Sequence, residues 1–526
     1  MTETYFRRPL ASVAAIVLAL LVCAPAAAQV YHPALDPQVF PVPRVLVPNV
    51  EFWRAVFSTY DSTQTVIHDT LNLDVVYTVV DVGDLARQGA SKAAIERESR
   101  RRVEAAIREY ETVLRALAGV AGAAADPAQV ARVRDLFARS ARGERDFQAA
   151  VARVRGQGGL RDTFRDALAT SGMFMPGIEA ILSRRGLPIE IARLPFVESM
   201  FNYRARSSAG ASGVWQFTRS TGRQYLQIDS AVDARSDVWL AADAAARMLA
   251  EHFAKVSSWP VALTGYNHGI AGMVRAVNQV GSRDIGEIAE RYSSPSFGFA
   301  SRNFYTEFVA AATVYADRAR LFPDVEPLAP VAFDEFTPGA YVSLLDLAHL
   351  TDTPPAVLAE LNPALDPDVV GGRLLVPDRY PLRVPAGARE SFARALARLP
   401  DERKRDRQLA ATYRVRRGDT LGVLARRFGT TVSSLQQANG LRSSRINVGQ
   451  VLEMPSGPSD WAPLVWTGGD GLRGSLAAAA VHVVRAGETL SRIAREYGTS
   501  VQSLVATNDL FSTVIHVGQE LRIPAR

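Results

Sequence analysis

Apolar and polar positions change their spacing several times along this chain, and each change marks a boundary. The first stretch is an unbroken apolar run from Leu10 to Val22, preceded by Arg7-Arg8 and followed by Ala26-Ala27-Ala28 ahead of Gln29. It is short for a membrane span and ends in the small residues at which an export signal is cut, so residues 1–28 read as a signal peptide. Gln29 to Pro48 is proline-rich and is expected to run extended. Leu73-Asp74-Val75-Val76-Tyr77-Thr78-Val79-Val80 is rich in β-branched positions and predicts a strand. From Ser91 to Leu117, Asp126 to Arg142 and Arg161 to Leu168, Ala, Arg, Glu and Leu recur at helical steps. Residues 29–175 are therefore expected to form an N-terminal extension that is largely helical.

Helical spacing continues through residues 176–325. Val238, Ala241, Ala242, Ala245, Leu249 and Phe253 share a face of a helix predicted from Asp237 to Phe253, and their small side chains let neighbours pack closely. Val261 to Tyr266 and Ile270 to Val280 predict two more helices. The informative exception is Glu198, within Leu194-Pro195-Phe196-Val197-Glu198-Ser199-Met200-Phe201-Asn202. A continuous helix here would set Ile191, Leu194, Glu198 and Phe201 on one face, with a carboxyl in an apolar stripe. Such an acid must be paired, or kept neutral by desolvation. Pairing makes it structural; a proton retained near neutral pH makes it a general acid suited to glycosidic bond cleavage. Pro188 is expected in the first turn of this helix, and Pro195 predicts a bend ahead of the glutamate or a later helix start.

The last third repeats itself. Gly418-Asp419-Thr420-Leu421 matches Gly487-Glu488-Thr489-Leu490, and the same offset sets Gly429 over Gly498, Leu435 over Leu504, Asn439 over Asn508 and Pro455 over Pro524 without a gap. Each unit predicts strand, helix, helix, strand. A degenerate copy precedes them: Leu344, Leu358 and Asn362 keep the spacing of Leu421, Leu435 and Asn439, and Leu374-Leu375-Val376-Pro377 is expected to end it as Leu452-Glu453-Met454-Pro455 ends the first. The resulting units are 340–380, 412–456 and 481–525. A linker at 381–411 holds the charge run Asp401 to Arg407, and a flexible linker at 457–480 is rich in Gly, Ser and Ala.

Composition refines this picture. A chain of 526 residues is too long for one core. Its net charge of +6 comes almost wholly from arginine, because the lysines are only Lys92, Lys255 and Lys404. A basic surface suits an anionic polymer, but no basic stripe with interleaved aromatics is present, so nucleic acid is not an expected partner. The single cysteine, Cys23, lies within the signal, which leaves the mature chain no thiol. His252 and His268 are not at a helical ligand spacing and no other His or Cys cluster exists, so no metal is expected.

Beside the Glu198 segment, two further motifs follow in order: Gly210-Ala211-Ser212-Gly213-Val214-Trp215-Gln216-Phe217 and Tyr266-Asn267-His268-Gly269. Together they resemble the catalytic domain of lytic murein transglycosylases of the soluble-lytic-transglycosylase, goose-type-lysozyme-like family, most nearly the membrane-bound type D group. The repeats resemble LysM, a small domain that binds N-acetylglucosamine-containing polymers. The resemblance implies an α+β multidomain protein, with a mainly α-helical lysozyme-like catalytic domain followed by βααβ LysM modules. It implies that peptidoglycan glycan strands are the partner, and that Glu198 cleaves their MurNAc-GlcNAc β-1,4 bond without water, metal or cofactor to give 1,6-anhydromuramyl products. Ser199 would stand near the acid; Gln216, Tyr266 and Asn267 would contact substrate. Trp215 offers an apolar face to a sugar ring, with core packing as the alternative. Ala300-Ser301 stands where many relatives carry a Glu-Thr pair, so no second acid is expected there. The resemblance also implies an exported, periplasmic protein associated with the outer membrane or cell wall. Some type D relatives are acylated on a cysteine, but Val22 before Cys23 is bulky where lipoprotein processing favours small residues. Two rival readings are a muramidase hydrolase and a non-catalytic peptidoglycan-binding scaffold. The intact Glu198-Ser199 pair and Gln216 argue against the scaffold.

Overall fold

The computed structural model describes residues 35–140, 146–408, 411–428 and 430–454, and beyond them 478–484, 488, 490–497, 504, 508 and 520–524. The expected signal at 1–28, most of the linker at 457–480, and Gly429, Pro455, Gly487, Thr489 and Gly498 lie outside the described residues. The architecture is α+β, mainly helical, with small antiparallel sheets.

Helix α1 (Val47–Ser58) follows the proline-rich lead-in and has Pro48 in its first turn, where a missing N–H leaves no helical bond unmade. Strand β1 (Gln64–Asp69) is the centre of a three-stranded sheet, flanked by β2 (Val76–Asp81) and by β3 (Val154–Gly158). The predicted strand begins later than its sequence pattern because Asn72 to Val75 forms a turn, closed by the Val75 N–H on the Asn72 carbonyl at 2.9 Å. Two helices pack on this sheet: α2 (Lys92–Leu117), capped by Ser91, and α3 (Pro127–Arg139), capped by Asp126. Ile67, Val75, Tyr77, Leu114 and Phe137 belong to the core they share. Strand β3 gave no alternating signal because Gly156 and Gly158 stand in it. A Cβ at Gly156 would meet Val103 of α2 at 3.1 Å, so the glycine lets helix and strand approach.

The following section is a cluster of helices: α4 (Arg161–Ser171), α5 (Met175–Arg184), the short α6 (Leu194–Glu198), α7 (Val238–Val256), α8 (Trp259–His268), α9 (Ile270–Val280) and α10 (Phe299–Ala316). Helix α7 starts at Asp237, whose carboxylate accepts from the N–H groups of Trp239 and Leu240 at 3.0 and 2.9 Å. Its buried alanines, Ala241, Ala242 and Ala244 to Ala246, let α5 and α8 lie close. Helix α10 is the common support, packed against α1, α6 and α8. Asn49 of α1 donates to Asn303 at 2.9 Å in a buried contact, and the Tyr305 hydroxyl donates to the Pro41 carbonyl at 2.8 Å. No helix among the described residues is long and apolar enough to cross a membrane.

The degenerate repeat folds as β4 (Phe333–Phe336), α11 (Leu344–Leu350), α12 (Pro355–Leu361) and β5 (Leu382–Pro385), with β4 antiparallel to β5 and α13 (Arg389–Arg398) against them. The first regular repeat has β6 (Ala411–Arg414), α14 (Leu421–Arg427), α15 (Val432–Ala438) and β7 (Val451–Met454) in the same order. The last contains β8 (Ala478–Val483), α16 (Leu490–Glu496) and β9 (Glu520–Pro524). One asparagine locks both complete copies. Asn439 donates to the Leu435 and Glu453 carbonyls and accepts the Glu453 N–H; Asn362 does the same with Leu358 and Arg383. The partner strand lies 14 residues beyond Asn439 but 21 beyond Asn362, so the degenerate copy carries seven extra residues. The expected ending at Leu374 to Pro377 is therefore displaced: Val376 makes only an isolated bridge to Val342, and β5 closes the unit.

Those extra residues clasp the helical section. Leu365 bridges to Val232, and backbone bonds join Asp233 to Ala364 at 2.7 Å and Asp366 to Ala231 at 2.8 Å. Arg383 of β5 then enters the interior with 1% exposure. Its guanidinium donates to the carboxylate of Asp237, the α7 cap, and stacks on Trp239 at 4.6 Å and Phe333 at 5.1 Å. A single apolar core consequently runs from Leu35 to Leu399.

Candidate active site

The helix bearing Glu198 is five residues long, and the continuous helix expected through Phe201 is not formed. Ile189–Arg193 is a 3-10 turn with Pro188 just before it, while Pro195 occupies the first turn of α6. The later start is the proline's doing, since its nitrogen has no hydrogen for an earlier helical carbonyl. After Glu198 the backbone becomes left-handed at Met200 (φ 49°) and Phe201 (φ 53°). Such a conformation costs a non-glycine residue about 1–3 kcal/mol. Phe201 is fully buried and meets Phe196 edge-on at 4.6 Å, so core packing maintains the kink. Ile191, Leu194 and Phe201 are thereby buried, and Glu198 is left half-buried at the helix end.

Glu198 has no ion-pair or hydrogen-bond partner among the described residues, so the structural-pair alternative does not hold. Burial, and after it the charge of Glu307, raises its carboxyl to about 8. It keeps its proton at neutral pH.

The second motif lies beside it. Ser199 donates to the Val214 carbonyl at 2.9 Å, tying the acid's helix to the 210–217 loop. Gly213 has φ +76°, and a Cβ there would sit 1.9 Å from the Arg235 carbonyl oxygen, so no side chain fits. Arg235 braces the loop from below, donating to the Gly210 and Phe217 carbonyls at 2.8 and 3.2 Å while held by Asp233. Gln216, half-buried with φ 48°, spends one amide hydrogen on the Gly213 carbonyl at 2.7 Å. Its amide oxygen remains open to a ligand. Trp215 is not offered to a sugar: the ring is 0% exposed, because the loop turns it into the core. Its contribution is the carbonyl, which accepts the Tyr266 hydroxyl at 2.7 Å.

Tyr266, at the end of α8, stacks on Phe304 at 6.5 Å, and burial first, then the charge of Glu198, holds its phenol protonated. Asn267 is exposed and accepts from Ser301 at 2.9 Å, leaving its amide hydrogens free. Glu198, Ser199, Gln216 and Tyr266 are thus tied into one neighbourhood, with Asn267 on its rim. His268 packs on Phe297 at 5.1 Å, and no cluster of potential metal ligands exists among the described residues.

Sequence reasoning missed Glu307 on α10. Burial raises its carboxyl to about 8, with the charge of Arg155 opposing that rise. A signal existed: Glu307 is the one acid in the apolar run from Phe304 to Val314, the same contradiction that exposed Glu198.

Comparison with known proteins agrees with this geometry. Residues 176–289 match the transglycosylase SLT domain family, and residues 413–455 and 482–524 match the LysM domain family. The membrane-bound lytic murein transglycosylase D of Escherichia coli (strain K12) is 27% identical over 350 residues, which cover 64% of this chain and 73% of that protein. The probable peptidoglycan endopeptidase LytE of Bacillus subtilis is 35% identical over 112 residues, 21% of this chain and 32% of its own. The crystal structure of the Bacillus cereus spore cortex-lytic enzyme SleL shares 26% identity over 22% of this chain and 23% of that chain, with a TM-score of 0.09. With an SLT domain around Glu198 and two LysM domains after it, the chain is a lytic murein transglycosylase whose LysM domains bind glycan.

Proposed function

We propose that Glu198 is the sole acid–base group in cleavage of the MurNAc-GlcNAc β-1,4 bond of peptidoglycan. The observation that carries this reading is its carboxyl, partly accessible, unpartnered and protonated at neutral pH. Glu198 gives its proton to the bridging oxygen as that bond breaks. The muramyl N-acetyl oxygen attacks the anomeric carbon, so the substrate supplies the second nucleophilic group that paired-carboxylate glycosidases carry themselves. The Glu198 carboxylate then takes the proton of the muramyl C6 hydroxyl, which returns the acid to its starting form, and the C6 oxygen attacks the anomeric carbon, breaking its bond to the N-acetyl oxygen and closing the 1,6-anhydro ring. Gln216 and Asn267 offer open amide groups to the acetamido substituents, and Ser199 and Tyr266 hold the loop and the acid in register.

Mass spectrometry of murein incubated with the protein is expected to give fragments lighter by one water than hydrolysis would yield. Reducing-end products instead would assign a hydrolase.

The E. coli relative is named membrane-bound and LytE a peptidoglycan enzyme, and these likenesses support a place in the envelope or cell wall. The Arg7-Arg8 and Leu10 to Val22 signal supports export to the periplasm. The LysM units act as the tether. Weak sites on one chain raise local concentration along a repeating polymer, so each need bind only modestly. Deleting residues 410–526 is expected to weaken pull-down by insoluble murein about 10²-fold or more while sparing cleavage of soluble fragments. Undiminished pull-down would refute the tether.

A further inference from the structure

Between the degenerate repeat and the Gln216 loop runs a series of bonds that the reaction above does not use. Residues 228–233 form a tight hairpin: the Asp229 carboxylate accepts from the N–H groups of Ala231 and Val232 at 2.7 and 2.9 Å, and Ile228 bridges to Asp233. The hairpin turns one carbonyl, that of Ala231, and one N–H, that of Asp233, toward the repeat, where Asp366 and Ala364 complete both bonds. Asp233 faces two ways. Its backbone is held by the repeat, and its carboxylate takes Nε and Nη2 of Arg235 at 2.8 and 2.7 Å, a bidentate contact that fixes the plane of the guanidinium. The remaining nitrogen, Nη1, reaches the Gly210 and Phe217 carbonyls, the two ends of the loop that carries Gln216. Ser199 and Tyr266 hold the middle of that loop from the side of the acid, at the Val214 and Trp215 carbonyls.

The repeat has also given up its own opening. In the first regular copy Gly418 and Thr420 are exposed; here Tyr341 and Ser343 stand in their places half-buried, and Val342 between them is buried. Tyr341 exchanges both backbone bonds with Arg405 at 2.9 and 3.0 Å, and Val342 exchanges both with Val376. Chain covers the opening, while the inserted residues face the enzyme.

We propose that the degenerate repeat is a built-in support of the active site, and that Arg235 is the positioning residue through which it aims the Gln216 amide at the substrate. The hairpin, the carboxylate fork and the two loop carbonyls form one continuous path from Asp366 to Gln216. A shift of the guanidinium shifts both ends of the loop, whose middle Ser199 and Tyr266 keep in place, so the Gln216 amide turns away from its working position.

The inference rests on Gln216 holding substrate, and two sets of variants keep the ideas apart. The quantity measured is kcat/KM of the full chain on soluble murein fragments. Asp366 has φ −62°, an angle proline adopts, so Asp366→Pro deletes the N–H that joins the repeat to Ala231 and sets a ring in its place. Asp366→Ala loses the same carboxylate but keeps the N–H, and is the reference. Leu365→Ala loosens the same contact more gently. Arg235→Lys leaves a cation beside Asp233 and gives up the planar fork. Asp366→Pro is expected to lower kcat/KM about 10-fold relative to Asp366→Ala, Arg235→Lys about 10-fold relative to the unaltered chain, and Leu365→Ala about 3-fold. Each change is then repeated beside Gln216→Met, which keeps the length of the side chain and removes its amide. There each is expected to cost less than about 2-fold, because the group being aimed is gone. A merely structural defect would cost the same factor in both backgrounds, and that result overturns the proposal. Equal rates for Asp366→Pro and Asp366→Ala overturn it too; should Asp366→Pro not fold, an undiminished kcat/KM in Leu365→Ala does so. If Gln216→Met cleaves as fast as the unaltered chain, the reading of Gln216 fails, and the proposal with it.

Discussion

Glu198→Gln is expected to slow murein cleavage by about 10²–10⁴-fold or more, the range attached to a lost general acid, while murein binding and the fold stay intact. Glutamine has nearly the shape of a protonated carboxyl, which is the form burial and Glu307 impose here. The substitution therefore removes a transferable proton and adds no buried charge. Turnover measured by mass spectrometry, beside pull-down by insoluble murein, separates chemistry from binding. Cleavage by the Glu198→Gln variant at the wild-type rate would remove Glu198 from the mechanism. The sign of the pH dependence follows from the same group. The first step needs the proton, so the rate holds at lower pH and declines as pH rises through about 8.

Arg383→Met is expected to lower stability by about 3–5 kcal/mol, because it leaves the Asp237 carboxylate buried without its cation. Asp237 is 0% exposed and serves two masters: one oxygen caps α7 and the other takes the guanidinium. Asp237→Asn leaves the guanidinium between Trp239 and Phe333 with Glu335 at 3.7 Å as its carboxylate, and is expected to cost less. Arg383→Met combined with Asp237→Asn should cost less than the two single changes summed, since neither charge is then abandoned. Chemical denaturation followed by tryptophan fluorescence reads this directly, with Trp239 against Arg383 as reporter. Full additivity would mean that the two residues do not act as a pair.

What could be read from the sequence was whatever is local. The helix predicted from Asp237 forms directly behind that residue, because a cap needs only its own first turn. Glu198 stood out because an acid in an apolar run contradicts its neighbours. Glu307 contradicts its own neighbours as plainly, but its electrostatic influence on Glu198 is a matter of the fold, since the two lie far apart in the chain. The fate of Trp215 was likewise a tertiary matter, decided by where the 210–217 loop turns its ring. The closing strand of the degenerate repeat was misplaced because an insertion moved it, and Leu374 to Pro377 offered a nearer imitation of the same pattern. The extension's sheet was only half visible, since glycines in β3 erase the alternation that announces a strand.

Repeats of this kind are portable when their interactions are internal, as the Asn439 lock is. The copy at β4 to β5 has lost that independence. By lending Arg383 to the helix that starts at Asp237, it has been annexed by the enzyme, and a recombination point in the stretch before β4 would divide an ion pair between two genes. The unit that evolution can move intact therefore extends to the end of the shared core near Leu399, and copy number is free to vary only downstream of it.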